Sequence, residues 1–135
     1  MFIFFLLKLN LTTTAMHISI IGCEHFKDYQ VLKWHLDDLH VTRITTCGEN
    51  EIERLAERYA RENNIPLEAC WPRHQKGRLT IWKEYYRIIE KCEILIAFWY
   101  GESSSIPCMI RKAKRMARIV KEVRGFLPGN NISNN

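Results

Sequence analysis

The chain carries short, strongly apolar runs that recur at intervals and end at turn-forming residues. The run HISII at 17–21 stops at Gly22, and this pattern predicts a buried strand followed by a turn. The β-branched run at 41–46 ends at a Cys-Gly pair and predicts a second strand. The run ILIAFW at 94–99 is apolar at every position, which is typical of a central strand covered by helices on both faces.

Segments with apolar residues at helical spacing separate these runs. Asp28 is a suitable N-cap for the first helix, whose apolar stripe includes Trp34 and extends to Leu39. A second helix begins near Glu49, with acids in its first turn, and ends at Asn63-Asn64. Weaker patterns predict a strand at 66–71, a loop at 72–78, a helix at about 80–91, a helix through about 117 with Pro107 in its first turn, and a last strand at 119–123.

The order of these elements is β-α-β-α-β-α-β-α-β with short connections. It predicts an α/β, three-layer, Rossmann-like doubly wound sheet of about five parallel strands in the order 3-2-1-4-5, spanning residues 16–124. In that order the first and fourth strands are neighbours, and the chain reverses its direction of winding between them. Because ligands of such sheets bind at the carboxyl ends of the strands beside this switch point, the loops of interest are 22–27 and 100–106, flanked by 47–50.

The first fifteen residues form an apolar leader that begins with MFIFFLL, and a second methionine, Met16, directly precedes the first strand. The apolar run is too short to span a bilayer, which takes about 20 apolar residues. Three interpretations stay open: an untranslated or disordered leader, an extra strand or packing arm, and a signal or anchor. We place residues 1–15 outside the domain, expect no membrane partner, and treat 125–135 as a polar tail.

Composition narrows the class of protein. The 135 residues carry 20 Lys and Arg against 15 Asp and Glu, a formal net charge of +5, and 47% of them are hydrophobic. This balance indicates a globular domain and excludes a disordered chain. The five cysteines are scattered and form no Cys-x-x-Cys motif, so we expect neither a disulfide framework nor a metal site. The simplest location for such a protein is the reducing cytoplasm.

Basic residues are concentrated between 111 and 124, where Glu122 is the single acid. We interpret them as the solvated face of the last helix, with Ile110, Ala113 and Ala117 facing the sheet. No aromatic platform accompanies these charges in the sequence, so we do not expect a nucleic-acid partner. The four tryptophans fit apolar stripes or strand ends and are expected in the core or in pocket walls.

The loops at the carboxyl edge offer a small set of glycine and polar residues. In the first loop, Gly22 either permits close approach of a ligand or only makes a tight turn, and Glu24 is either an acid–base group or solvated. The backbone at Gly48 and Asn50 opens a helix, but the acids beside it would repel a phosphate. The motifs G-x-G-x-x-G and G-x-x-x-x-G-K-[ST] are absent, and we expect no bound cofactor. The candidate binding residues are Gly22, Cys23, Phe26, Gly48, Asn50, Gly101, Ser103 and Ser105.

Three segments together resemble a known family: HISIIG at 17–22, LAERYARENNIPL at 55–67 and CEILIAFWYGES at 92–103. They are similar to the SLOG superfamily, and within it to the small single-domain YpsA-related proteins of bacteria and their phages. The resemblance implies a Rossmann-like sheet that binds a nucleotide or a nucleotide-derived ligand. Other branches of the superfamily cleave N-glycosidic bonds of nucleoside monophosphates, which implies an enzymatic alternative.

The sequence departs from the family mainly at the polar ligand contacts. Glu24 stands where the family has a phosphate-binding arginine, Glu51 replaces a glycine, and Glu53 occupies the position of an aspartate, whereas Ser103 is retained. We therefore expect a non-catalytic, sensor-type domain that binds a less anionic, nucleoside-derived or sugar-containing small molecule, and leave a homo-oligomer open. The alternative is an N-glycosidase or deoxyribosyltransferase-like enzyme with Glu24 or Glu53 as its working carboxylate.

Overall fold

The computed structural model describes residues 15–23, 26–46, 51–70, 78–101 and 105–124. In this part of the chain five strands alternate with four helices, in the predicted sequence of elements. Most of the apolar leader and the polar tail lie outside the described residues. The elements are β1 (Met16–Gly22), α1 (Tyr29–Asp37), β2 (Val41–Thr46), α2 (Glu51–Glu62), β3 (Leu67–Ala69), α3 (Arg78–Lys91), β4 (Ile94–Trp99), α4 (Ser105–Arg115) and β5 (Ile119–Arg124).

The strands form one parallel sheet in the order β3-β2-β1-β4-β5, which confirms the predicted fold class. Ile18 of β1 pairs with Ile44 of β2 on one side and with Ile94 of β4 on the other. Every residue of β4 is buried, as expected for a strand covered on both faces. The switch point therefore lies between β1 and β4.

Alternate side chains of β1 point into two separate apolar layers. Ile18 and Ile20 are fully buried in the layer that also holds Leu36 of α1. Ile21 belongs to the opposite layer, together with Met109 of α4. Burial of each large apolar side chain contributes about 1.5–3 kcal/mol, so the two layers hold helices on both faces of the sheet.

Helix α1 begins where the sequence predicts. The Asp28 carboxylate accepts a hydrogen bond from the Val31 backbone N–H at 3.2 Å, which satisfies one of the donor groups that a helix start leaves unpaired. Leu32 and Leu36 lie one turn apart on the buried face of the helix. The cap and the apolar stripe therefore fix both the start of α1 and the face that meets the sheet.

The tryptophans do not all lie in the core. Trp34 is 68% exposed, because it lies on the side of α1 opposite the buried leucines, so the expectation of a core position is wrong for this residue. Trp99 is buried at the end of β4, as expected, and its indole N–H donates to Glu122 Oε1 at 2.8 Å. Trp71 lies outside the described residues.

Helix α4 stops at Arg115, earlier than the sequence pattern predicts. Ala117 adopts the left-handed conformation with φ of 58°, and the next N–H, of Arg118, donates to the carbonyl of Ala113 at 2.9 Å. This Schellman arrangement satisfies carbonyl groups of the last helical turn. Ala117 is exposed, so the expectation that it faces the sheet is wrong.

Arg118 does not share the solvated face expected for the basic run. Its side chain is half-buried, and Nε donates to the Ile89 carbonyl at 3.2 Å. Nη2 donates to the Glu90 carbonyl at 3.0 Å, and Nη1 donates to the Met116 carbonyl at 3.3 Å. The guanidinium thereby joins the carboxyl end of α3 to the turn that follows α4, at a helix end where positive charge is favoured.

Candidate functional site

The carboxyl ends of β1, β2 and β4 meet at one edge of the sheet, where the sequence places its candidate loops. The strand register fixes this arrangement, because Ile20 pairs with Thr46 and Gly22 pairs with Phe98. The candidates that the structure describes are Gly22, Cys23, Phe26, Glu53, Gly101 and the backbone of Ser105. Glu24, Gly48, Asn50 and Ser103 lie outside the described residues.

The absence of a side chain at Gly22 makes room for another residue of this protein, Ile52. A Cβ at this position would lie 2.1 Å from Ile52 Cγ2 and 3.0 Å from the carbonyl oxygen of Phe98. Ile52 is the second residue of α2 and is fully buried. Gly22 therefore lets the first turn of α2 pack directly onto the end of β1, which brings the start of that helix to the switch point.

Cys23 continues β1 for one residue beyond the strand. Its backbone N–H donates to the carbonyl of Phe98 at 3.1 Å, and its own carbonyl accepts from the Phe26 N–H at 3.3 Å. The side chain is half-buried and contacts both apolar layers of the domain. Cys23 thus lies directly after β1 and beside β4, and its side chain touches the apolar layers on both faces of the sheet.

Phe26 forms an aromatic wall below the edge of the sheet. It is 2% exposed, with its ring centroid 5.2 Å from that of Phe98 and 5.6 Å from that of Tyr100. The two rings of Phe26 and Tyr100 are stacked, and Tyr100 is half-buried. Burial is the main cause that raises the pKa of Tyr100, followed by its proximity to Cys23 and Asp28. Tyr100 is therefore a neutral hydroxyl at physiological pH, carried on an aromatic surface.

The carboxylate candidate Glu53 lies in the first turn of α2 and is 2% exposed. Its neighbour Ile52 packs on Gly22, so this turn of the helix is fixed against the end of β1. The amino terminus of a helix favours negative charge because its first N–H groups lack partners within the helix. Glu53 therefore places a buried carboxyl group at the amino terminus of α2, beside the end of β1.

Thr46 is the last residue of β2 and is fully buried. Its backbone carbonyl accepts a short hydrogen bond from the N–H of Cys70, but its hydroxyl Oγ1 has no hydrogen-bond partner within the described part of the chain. A buried hydroxyl in this state costs about 1–3 kcal/mol relative to a satisfied one. Because Thr46 ends the strand next to β1, a polar group bound at the carboxyl edge is placed to supply the missing hydrogen bond.

The last loop begins at Gly101, whose φ is +92°. The residue is exposed, and a Cβ added there would meet no atom within 4 Å. The requirement for glycine is therefore conformational, since a side chain in the left-handed region costs about 1–2 kcal/mol. Ser105, expected to contact the ligand, is the first residue of α4.

The described ranges contain neither a cluster of metal-ligating side chains nor a helix that could cross a membrane. No group of three or more His, Cys, Asp and Glu side chains there is arranged to hold a metal ion. No described helix has the length and apolar character needed to cross a membrane. Cys23 lies at the end of β1, whereas Cys47, which ends the neighbouring strand in the sequence, is outside the described residues.

Thr46 lies outside the loops that the sequence indicates, and Tyr100 lies in the predicted loop 100–106 but is not among its candidate binding residues. Each stands at the carboxyl end of a strand, where a side chain is close enough to the ligand edge to contribute to it. Tyr100 follows the apolar run 94–99, and a polar group in that position is a signal that could have identified it. Thr46 follows Thr45 in a strand with several polar residues, so no pattern in the sequence distinguishes it. The hydroxyl of Thr46 and the ring of Tyr100 extend the candidate site from the loops to the strands themselves.

No protein-family model, curated protein or solved structure matches the chain. The Rossmann-like architecture rests on the sheet topology alone, and the similarity to the SLOG superfamily stays a prediction. Since one fold of this kind supports many activities, the function has to be argued from the residues at the carboxyl edge.

Proposed function

We propose that this domain binds a nucleoside-derived small molecule, without catalysis, at the carboxyl edge of β1, β2 and β4. The buried hydroxyl of Thr46, which lacks a hydrogen-bond partner among the described residues, carries the proposal. Buried polar groups in folded proteins are nearly always satisfied. A ligand hydroxyl or ring nitrogen at this edge would satisfy Thr46 and gain binding energy from it.

The charges of the loops favour a ligand with little negative charge. Glu53 is buried in the first turn of α2, where a phosphate-binding site would need open N–H groups and no competing carboxylate. The sequence also places acids in the loops on either side. A nucleoside or a sugar-containing ligand can donate hydroxyl protons to such carboxylates, whereas a phosphate would be repelled. The acids concerned are Glu24, Glu49, Glu51, Glu53 and Glu102.

The aromatic surface at the edge suits a planar base. Tyr100 is half-buried and stacks on Phe26, which in turn packs against Phe98. Aromatic rings supported in this way bind flat heterocycles by stacking. Together, a hydroxyl, a carboxylate and an aromatic wall at a switch point are the elements that a nucleoside site requires.

Thr46→Val is the substitution that tests this proposal. Valine has nearly the shape of threonine but cannot hydrogen-bond, so we expect unchanged or slightly higher stability of the free protein, by up to about 1 kcal/mol. Nucleoside binding should weaken about tenfold, the loss of one hydrogen bond of about 1.4 kcal/mol. Calorimetry with a panel of nucleosides and their 5′-monophosphates measures both the affinity and the preference for the uncharged ligand.

Thr45→Val is the matched control. Thr45 is also buried, but its Oγ1 lies 2.6 Å from His17 Nε2 on the opposite face of the sheet. This variant should lose stability and keep its affinity for the nucleoside. Absence of binding by every nucleoside and nucleotide, or equal loss of binding in both variants, would overturn the proposed function.

The enzymatic alternative is favoured by one observation, the burial of the Glu53 carboxyl beside the switch point. An N-glycosidase would add water across the bond between sugar and base and release the free base, with a carboxylate assisting at the sugar carbon. Chromatographic detection of free base after incubation with nucleosides and nucleoside monophosphates separates the two functions. Release that Glu53→Gln or Glu24→Gln abolishes would establish the enzyme, whereas binding without release supports the non-catalytic domain.

A further inference from the structure

A groove of about 350 Å³ lies between α3 and α4, and it contains none of the residues of the proposed nucleoside site. Ile89 and Met109 line it, and these two side chains belong to the buried apolar layer beneath the helices. Cys108 lies beside them and is half-buried. The floor of the groove is therefore apolar, although both helices face solvent at this point.

The rim of the α3–α4 groove is basic. Arg111, Lys112 and Arg115 of α4 line it, at a spacing that places them within two turns of the helix. Lys112 Nζ lies 4.6 Å from the centroid of the Tyr86 ring of α3, and Tyr86 is 40% exposed. No carboxylate is among the described residues that line the groove, so the described part of the rim is positively charged.

We propose that the α3–α4 groove docks an acidic, amphipathic segment of a partner protein. An apolar side chain of the segment contacts the floor at Ile89 and Met109, and its carboxylates pair with the arginines of the rim. Apolar grooves between helices commonly bind segments of this kind through side chains at helical spacing. The complementary charge supplies orientation and faster association.

The occupant is a peptide rather than a single-stranded nucleic acid because of the groove floor. Nucleic-acid strands are held by open aromatic faces on which successive bases stack. Here the ammonium group of Lys112 already stands over the Tyr86 ring, and the second tyrosine of the lining, Tyr85, is packed against the apolar layer that holds Ile89 and Met109. A mainly apolar floor with a cationic rim matches leucine or phenylalanine side chains flanked by carboxylates.

A fluorescein-labelled peptide about 14 residues long, with Leu and Phe at helical spacing among Glu and Asp, is the probe for this proposal. Fluorescence anisotropy with the full chain should give a dissociation constant in the range of about 10–100 μM, as for a small transient interface. Affinity should fall as the salt concentration rises, because the rim charges are exposed and therefore screened. A peptide of the same composition with the apolar residues scrambled should bind much more weakly.

Charge reversal on α4 locates the site. Arg111→Glu and Arg115→Glu should each weaken peptide binding about fivefold to tenfold, through repulsion of the carboxylates. Lys114→Glu is the matched control, because Lys114 is an exposed residue of the same helix that does not line the groove. It introduces the same change of net charge and should alter the affinity less than about twofold. Circular dichroism confirms that each variant is folded.

Alkylation of cysteines gives a second measure of where the peptide binds. Cys108 lines the groove, with its Sγ 3.2 Å from Arg111 Nη2, whereas Cys23 lies at the edge of the sheet. Saturating peptide should slow the reaction of Cys108 with iodoacetamide and leave that of Cys23 unchanged, as measured by peptide mass mapping.

Four results would overturn the proposal. They are absence of peptide binding up to about 1 mM, equal effects of Lys114→Glu and Arg111→Glu, equal binding of the scrambled peptide, and unchanged alkylation of Cys108. A poly-dT strand that competes for the groove and binds more tightly would assign it to nucleic acid instead. A dimer in sedimentation that Arg111→Glu dissociates would assign it to a second copy of this chain. None of these outcomes depends on nucleoside binding at the sheet edge.

Discussion

The protonation of one side chain, His17 of β1, makes the stability of the fold depend on pH. Its Nε2 lies 2.6 Å from the hydroxyl oxygen of Thr45, in a half-buried setting beside Arg43 and Glu68. Burial is the main cause that lowers the pKa of His17 below 6.5, and the charge of Arg43 adds to it. The pKa of His35 is lowered in the same direction, by burial and then by Lys121.

These shifts predict a loss of stability on mild acidification. The unfolded chain binds a proton on each histidine more readily than the folded chain does, so stability is complete above about pH 6.5 and falls as the pH decreases through that value. Urea unfolding from about pH 7.5 to about pH 5.5 measures this fall. His17→Gln and His35→Gln should each flatten it, because glutamine does not titrate.

The histidines titrate in this pH range, whereas the hydrogen-bonded carboxylates titrate at lower pH. Hydrogen bonds from Tyr29 and Arg58 lower the pKa of Glu62, and a hydrogen bond from Lys91 lowers that of Glu68. Their contributions are lost only as the pH falls below the ordinary value of 4.5. A pH profile that is flat between 7.5 and 5.5 in the unmodified protein contradicts the assignment to the histidines.

Helix termination follows one geometry with two different residues. Asn64 after α2 has φ of 53° and Ala117 after α4 has φ of 58°, and each is followed by an N–H that donates back to the last turn of its helix. Asparagine tolerates the left-handed region because its short polar side chain bonds locally, whereas alanine is strained there. The sequence therefore indicates the end of α2 at Asn63-Asn64, whereas it does not indicate the end of α4 at Ala117.

Ala117→Gly should stabilise the protein. Glycine adopts a positive φ without steric cost, so we expect the free energy of unfolding to rise by about 1 kcal/mol, as measured by urea denaturation. Ala113→Gly, inside the same helix, should lower it by at least about 1 kcal/mol. Destabilisation by Ala117→Gly would mean that the left-handed conformation is not kept in solution.

At the scale of the whole molecule, charged and aromatic contacts join both ends of β5 to the rest of the domain. Arg118 bonds to the end of α3, and Glu122 of β5 accepts from both Trp99 and Arg124 at 2.8 Å. Arg124 also lies 4.9 Å from the Trp99 ring centroid. β5 is an edge strand whose Ile119 is 57% exposed, so these contacts hold it to α3 near its start and to β4 near its end.

Arg118→Gln should weaken the attachment of β5 to α3. The substitution removes charge-assisted hydrogen bonds to the end of α3 and to the turn that follows α4, and we expect the free energy of unfolding to fall by about 2 kcal/mol. Lys114→Gln, a loss of charge on the exposed face of α4, should change it by less than about 0.5 kcal/mol. Equal effects of both substitutions on the urea midpoint would show that Arg118 acts only through net charge.

Much of the architecture follows from patterns of apolar and polar residues that lie close together in the sequence. The apolar run at 94–99 indicated a strand buried on both faces, and Asp28 indicated the start of α1, since both depend on residues close together in the chain. The element order with short connections and right-handed crossovers then favoured the order 3-2-1-4-5, which the sheet has. At the candidate site the sequence placed Gly22, Cys23 and Glu53 near the carboxyl edge, and their roles stay predictions. It did not indicate Thr46, because the burial of its hydroxyl depends on the packing above β2.

The sequence by itself therefore determined the element types, the parallel sheet and the edge at which the candidate loops meet. Only the tertiary structure decided which side chains meet: Ile52 on Gly22, the guanidinium of Arg118 on the end of α3, and the basic rim of α4 beside Tyr86. The physical reason is the distance along the chain over which each kind of interaction acts. Periodicity and capping are set by neighbours a few residues apart, whereas contacts between elements depend on how two distant faces pack, which no local pattern encodes.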